Sequence, residues 1–143
     1  MASRTDVRQL IARLLPVYYT GFQQVWAYQC GDFQQQTPVA EVTSAGTLRE
    51  RVTARGTLPK PFYIDITVYA LYSDQAGTYT EEDAEDVLDA AEAAVDAMVV
   101  ANPSNALWMS IGYADRSQVL PNFLQGGVVY RREVIRLQVV GMQ

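Results

Sequence analysis

Phe62-Tyr63-Ile64-Asp65-Ile66-Thr67-Val68-Tyr69-Ala70-Leu71-Tyr72 changes character at almost every residue. Phe62, Ile64, Ile66, Val68, Ala70 and Tyr72 share one parity, and Tyr63, Asp65, Thr67, Tyr69 and Leu71 share the other. A period of two predicts a β-strand. The first face is candidate core, and the second is too aromatic for a plain solvent face. After a predicted turn over Ser73 to Tyr79, the period changes. From Thr80 to Ala101 it becomes helical, with Ala84, Val87, Leu88, Ala91, Val95, Met98 and Val99 on one stripe. Thr80 followed by Asp83 resembles a capping box, and Asn102-Pro103 stops the helix.

Working outward, Val7, Leu10, Ile11 and Leu14 predict an N-terminal helix over about 5–15, capped by Thr5 or Ser3 and ended near Pro16. Phe22 to Tyr28 is strand-like and aromatic. Cys30 to Thr47 is a long polar loop or a weak hairpin, with Val39 to Thr43 as a possible short strand. Leu48 to Ala54 is a further candidate strand, and Leu58-Pro59-Lys60-Pro61 interrupts the chain. Beyond the long helix, Leu107, Met109, Ile111 and Tyr113 alternate with Trp108, Ser110, Gly112 and Ala114. Asp115 to Gly127 is expected to be a connection, and about 128–140 a long final strand. In that strand Val128 and Tyr130 are even, whereas Ile135, Leu137 and Val139 are odd. Either a bulge near Arg131–Glu133 or burial of both faces explains the switch. The order of elements predicts one α+β domain over 1–143. An antiparallel or mixed sheet carries the N-terminal helix and the long helix on one face.

The composition excludes a good deal. The 143 residues include one cysteine and no histidine. Imidazole-dependent nucleophiles and histidine-ligated zinc are therefore out, as are an intrachain disulfide and any multi-cysteine metal site. A net charge of −5 argues against the whole molecule binding nucleic acid. Arg4, Asp6, Arg8 and Arg13 break up any signal-peptide core at the N-terminus, and no apolar run nears the ~20 residues that span a bilayer. The expectation is a protein of the cytosol, or released from it, with no membrane partner.

The long helix segregates the charge. Residues 81–96 hold eight of the sixteen acids and no base; the eight remaining acids face eleven bases, so the rest of the chain carries +3. Glu82, Glu85, Asp89, Glu92 and Asp96 fall on one flank of the core stripe, and Ala90, Ala94, Ala97 and Ala101 on the other. The alanine flank reflects alanine's helix propensity, or else receives the N-terminal helix or another subunit. Like charges four apart, as at Glu85/Asp89 and Glu92/Asp96, each destabilise an isolated helix by a few tenths of a kcal/mol. Glu92 and Asp96 also lie too far along to gain from the helix dipole. The flank is either a solvated surface or an interface. As an interface it would meet Arg49, Arg51 and Arg55, or Arg131, Arg132 and Arg136, of a neighbouring copy in a head-to-tail ring. The same charge would also keep DNA from adhering to a channel wall.

Chemistry-bearing constellations are sparse. Carboxylates radiating from a regular helix lack the bent-loop convergence that hard cations need, so neither metal nor cofactor is expected. Asp65 beside Tyr63 and Tyr69 is either an acid/base pocket or a structural and interface group. Cys30 lacks an imidazole to activate it. Gly126-Gly127 lacks the context of a phosphate loop and is expected to be a turn. Arg49, Arg51, Arg55 and Lys60 interleave with Thr and Leu rather than with base-stacking aromatics.

Four stretches together carry a resemblance: Phe62 to Tyr72, the acidic helix opened by Thr80-Glu-Glu-Asp83, Trp108-Met-Ser-Ile-Gly112, and Gly127-Val-Val-Tyr-Arg-Arg-Glu-Val-Ile-Arg-Leu-Gln-Val139. They resemble the small tail terminator (tail completion) proteins of long-tailed bacteriophages over roughly 62–141. The resemblance implies an α+β virion protein without catalysis, placed in the tail or neck and assembled in the host bacterial cytoplasm. It implies a hexameric ring on the head-proximal end of the tail tube, which stops tube polymerisation and forms the head–tail joining surface. The implied partners are copies of itself, the tail tube protein, the head–tail connector protein, and DNA that passes through the bore without specific binding. Tube and connector subunits have a similar element order and are the nearest alternatives. The alternatives of another class are a small enzyme or ligand-binding domain using Asp65, Tyr63, Tyr69 and Arg132, and an adaptor that binds a protein through the acidic helix.

Overall fold

The alternating stretch lies inside a 13-residue strand, Pro61–Ser73. The computed structural model describes residues 3–31, 38–47, 61–73, 81–125 and 128–141. In chain order the elements are α1 (Arg4–Tyr18), β1 (Gln24–Trp26), β2 (Val39–Thr47), β3 (Pro61–Ser73), α2 (Glu81–Ala101), β4 (Trp108–Tyr113), β5 (Gln118–Gln125) and β6 (Val128–Gly141). The six strands form one sheet in the order β1-β2-β3-β6-β4, with β5 also paired to β6. β1 runs parallel to β2, and every other pair is antiparallel. The fold is thus α+β with a mixed sheet. The expected strand over Leu48 to Ala54, the turn after Ser73, the Thr80 cap and Gly126-Gly127 lie outside the described residues.

β6 organises the sheet. One edge pairs with β3 from Pro61↔Val140 to Leu71↔Tyr130 without a slip. The other edge is shared, with β4 on Leu137–Gly141 and β5 on Val128–Val134. The apolar parity switch in β6 therefore comes from burial of both faces, not from a bulge at Arg131–Glu133. Ile135, Leu137 and Val139 join Phe62, Ile64, Ile66, Ala40 and Val42 in the main core under the helices. Val128 and Tyr130 belong to a second cluster on the opposite face, with Val39, Tyr69, Trp26 and Cys30.

Both helices cover the main-core face, α1 over β1 and β2 and α2 over β3 and β6. Ser3 caps α1, accepting from the Asp6 backbone N–H while the Asp6 side chain accepts from the Ser3 backbone in return. Val7, Ile11 and Leu15 are fully buried, and Leu10 and Leu14 pack at the margin. The helix continues past Pro16 to Tyr18, against the expectation that proline would end it. The ring removes one N–H, but the Tyr19 N–H still reaches the Leu15 carbonyl at 3.1 Å and completes the last turn.

The strands after α2 depart from simple alternation in two places. Trp108 sits on the polar parity of its stretch, yet it is fully buried while Met109 is exposed. A register shift between Trp108 and Ser110 turns the indole inward, where Nε1 donates to the Asn102 carbonyl at 2.9 Å. The stretch expected as a connection after Asp115 contains β5. Its register shifts between Leu120 and Phe123, across Pro121, which is where an edge strand tolerates a proline.

Trp108→Ala should cost about 3–5 kcal/mol, because it removes a buried indole and orphans the Asn102 carbonyl. Urea denaturation of the two chains measures the difference, and a loss under 1 kcal/mol refutes this account of the core.

Candidate functional site

α2 lies over the sheet with its core stripe down, which sets its acidic flank toward β4 and β5 and its alanine flank toward α1. Glu82, Glu85, Asp89, Glu92 and Asp96 are all exposed on the first flank. On the second, Ala94 is buried and Ala90 half-buried, while Ala97 and Ala101 are exposed. The alanine flank thus packs closely only over its first half.

An open cleft of about 710 Å³ separates the acidic flank from the β4–β5 connection. Asp89, Glu92 and Asp96 form one wall, Tyr113, Asp115, Arg116 and Ser117 the other, and Ile135 the floor. The Tyr113 hydroxyl donates to Asp96 Oδ1 at 3.0 Å. Burial, then Asp96 itself, pushes that phenol up to about 12. Arg131 reaches up from β6 to Glu85, Nε to Oε1 at 2.5 Å. Glu133, also on the helix-facing side of β6, is buried and accepts from Ser117 Oγ at 2.7 Å. Burial raises its carboxyl above the ordinary glutamate range; Ser117 opposes the shift, and the charges of Glu92, Asp89 and Glu85 reinforce it.

The outer face of the sheet holds two separate polar groupings. Arg136 grips Asp65 with both ends of its fork, Nε to Oδ1 at 2.8 Å and Nη2 to Oδ2 at 3.1 Å. Further along β3, Tyr69 is buried, bonded to the side chains of Glu41 and Arg132. Burial leads, with Glu41 adding and Arg132 opposing, in pushing the Tyr69 phenol up to about 12. Glu41 is 2% exposed. The Cys30 backbone N–H donates to its Oε2 at 3.0 Å, and among the described residues its Oε1 has no hydrogen-bond partner. Burial raises this carboxyl too, with the Tyr69 and Cys30 bonds opposing. Arg8 of α1 holds the same connection after β1 by donating to the Ala27 carbonyl at 2.5 Å.

The acidic flank predicted from the sequence is therefore one continuous surface. Its expected basic partners are not. Strand alternation puts Arg131 on the helix side and Arg132 and Arg136 on the outer face, and Arg131 and Arg136 each meet an acid of their own chain. Arg49, Arg51, Arg55 and Lys60 lie outside the described residues. Tyr63, Asp65 and Tyr69 share a face, but Asp65 and Tyr69 are four positions apart, about 13 Å along a strand. Asp65 and Tyr69 belong to different groupings. Glu41 and Glu133 went unremarked in the sequence. Glu41 carried a signal, a carboxylate inside the apolar run Val39-Ala-Glu-Val42, whereas Glu133, which follows Arg131-Arg132, carried none.

Among the described residues, no three His, Cys, Asp or Glu side chains are placed to hold a metal ion, and no helix is long and apolar enough to cross a membrane. No protein-family model matches the chain, and no curated protein matches it.

Glu41 gives a pH prediction. A carboxyl raised in the fold contributes stability that is complete below its unfolded value and is lost as pH rises through its folded value. Glu41→Gln abolishes that titration. The stability of the variant relative to the native chain should therefore climb between mildly acidic and neutral pH. Urea midpoints at several pH values measure the difference, and one that stays constant with pH contradicts the reading.

Proposed function

We propose that the chain is a ring-forming structural subunit and, on its resemblance to that family, a tail terminator of a long-tailed bacteriophage. The observation that carries the ring is a pair of open edges on opposite sides of one sheet. Among the described residues, Val42–Thr47 of β2 have no strand beyond them on one side, and β5 has none on the other. Gln118–Gln125 carries no charged residue, and Val119 and Leu124 are 48% and 67% exposed. Monomeric proteins guard such an edge with charge, proline or a bulge; β5 has Pro121 and a register shift at its middle but no charge, which leaves its two ends open. Two different edges that satisfy each other between copies make a head-to-tail contact, and such contacts close into rings when the rotation permits.

The acidic flank supports the same reading from another direction. Arg131 and Arg136 already meet acids of their own chain, so Asp89 and Glu92 are better suited to a bore wall that repels DNA than to pairing with those arginines. In this assignment the partners are further copies, probed first as a hexamer, with the tail tube protein below and the head–tail connector above. No catalytic step is assigned. The acid/base alternative gains nothing from Asp65, which Arg136 holds bidentately.

Light scattering should give a mass several times 15.9 kDa, about sixfold for a hexamer. Leu124→Lys should reduce it to one chain and remove the dependence of the unfolding midpoint on protein concentration. Electron microscopy of particles lacking the protein separates the alternatives. Overlong or headless tails identify a terminator, absent tubes identify a tube subunit, and normal particles overturn the proposal.

A further inference from the structure

Each open side of the sheet is built of two strands in series. On one side β1 covers Val39–Glu41 and leaves Val42–Thr47 of β2 uncovered. On the other, β5 lies along Val128–Val134 of β6 and β4 along Leu137–Gly141, and among the described residues neither has a strand beyond it. The pairings through β3 put both sides on one scale. Val42 is level with Ile135 by way of Ile66, and Thr47 with Val139 by way of Phe62. Tyr113 is level with Leu137, and Ile111 with Val139. The uncovered stretch of β2 therefore stands at the height of β4, and β1 at the height of the first residues of β5. The directions are opposed, because β1 and β2 run with β6 whereas β4 and β5 run against it. Charge is missing from every one of these edges. Val42–Thr47, β1, β4 and β5 contain no charged residue in a chain that is 19% charged. The covered strands β3 and β6 carry Asp65, Arg131, Arg132, Glu133 and Arg136 instead. A sheet that keeps other chains away has the reverse distribution, with its charges on the edges.

We propose that Val42–Thr47 of one copy pairs antiparallel with β4 of the next, so that one sheet runs on through the assembly with every α1 and α2 on the same face. The inference rests on the ring reading and names its contact. Each step of a hexamer turns a copy by about 60°, which cannot reverse a strand. β2 therefore meets β4 in the antiparallel sense. A rotation adds no rise, so with the strands along the ring axis the two meet at the height they already share. Their outward backbone N–H and C=O groups then satisfy each other as ladder partners. The register shifts at Ser44/Gly46 and Trp108/Ser110 keep the matched stretches short. The same step sets β1 beside β5, which lengthens the contact below.

The test starts from the full chain with Cys30→Ser, which removes its only thiol. Within one chain β2 and β4 are three strand spacings apart, about 14 Å. That is too far for a disulfide, so any disulfide between them joins two copies. Two level pairs are introduced separately, Thr43→Cys with Ala114→Cys and Thr47→Cys with Ile111→Cys. Thr43 is level with Arg136 through Asp65, and the Ala114 N–H meets the Arg136 carbonyl. Mild oxidation should give a ladder of covalent multimers that ends at the mass of the ring. The yield should exceed that of the crossed pairs, Thr43→Cys with Ile111→Cys and Thr47→Cys with Ala114→Cys, by at least about tenfold, because only thiols held together react at a raised effective concentration. The Thr43 and Ala114 pair serves even if Ile111→Cys fails to fold. Crossed pairs that close as well as level ones overturn the strand pair. Light scattering of the Cys30→Ser chain keeps the two proposals apart. A ring in which neither level pair closes removes the strand pair and leaves the ring. A ladder from a chain that scatters as a monomer keeps the strand pair and removes the ring. A monomer without a ladder removes both.

Discussion

The pairing of β3 with β6 is the constraint on which the molecule depends. The two strands face each other from Pro61↔Val140 to Leu71↔Tyr130 in one register. A slip of one residue in β6 would turn Ile135, Leu137 and Val139 outward and bring Arg136 under the helices. Hydrophobic burial thus fixes the register, and the register then distributes the polar groups. It sets Asp65 opposite Arg136 on the outer face and Tyr69 opposite Arg132. It also carries Arg131 and Glu133 to the helix side, where α2 supplies only acids near them.

That distribution explains why the arginines of β6 do not act as a patch. Side chains alternate across a strand, so neighbouring Arg131 and Arg132 point to opposite faces. The Asp65–Arg136 pair is bidentate but partly exposed, which limits it to a modest contribution. The more consequential polar groups are the two buried carboxylates, Glu41 and Glu133. Each accepts a hydrogen bond from a connection between strands. Glu41 holds Cys30, and Glu133 holds Ser117.

Much of the fold was legible because burial imposes a period. A strand at 62–72, a helix at 80–101, a long final strand and helices on one face of an α+β sheet all follow from spacing alone. The failures have physical causes. β5 was invisible because Pro121 and the register shift around it break the alternation. Trp108 departs from the alternation of its stretch because a register shift beside it changes parity. α1 outran Pro16 because the backbone beyond it keeps its own bond to Leu15. The acidic flank was readable as a surface, but the fate of Arg131 and Arg136 required the pairing partner of each strand position. Periodicity within one segment does not contain that information.

The acidic flank and the open edge are not independent features. α2 sits over β3 and β6, and its acids point toward the side on which β4 and β5 close the sheet. The first acids of the helix gain from its dipole, but Asp89, Glu92 and Asp96 lie beyond that help, and among the described residues only Asp96 receives a hydroxyl, from Tyr113. Beside them runs a strand without a single charge, its Val119 and Leu124 in solvent. For an isolated chain both arrangements are unfavourable, one through like-charge repulsion and the other through exposed apolar edge. A single basic residue on β5 would ease both at once. A segregation that leaves an uncharged edge beside a row of acids is what a contact surface requires when a second copy covers the edge and the acids face away from it. The ring proposal gives the two features one explanation.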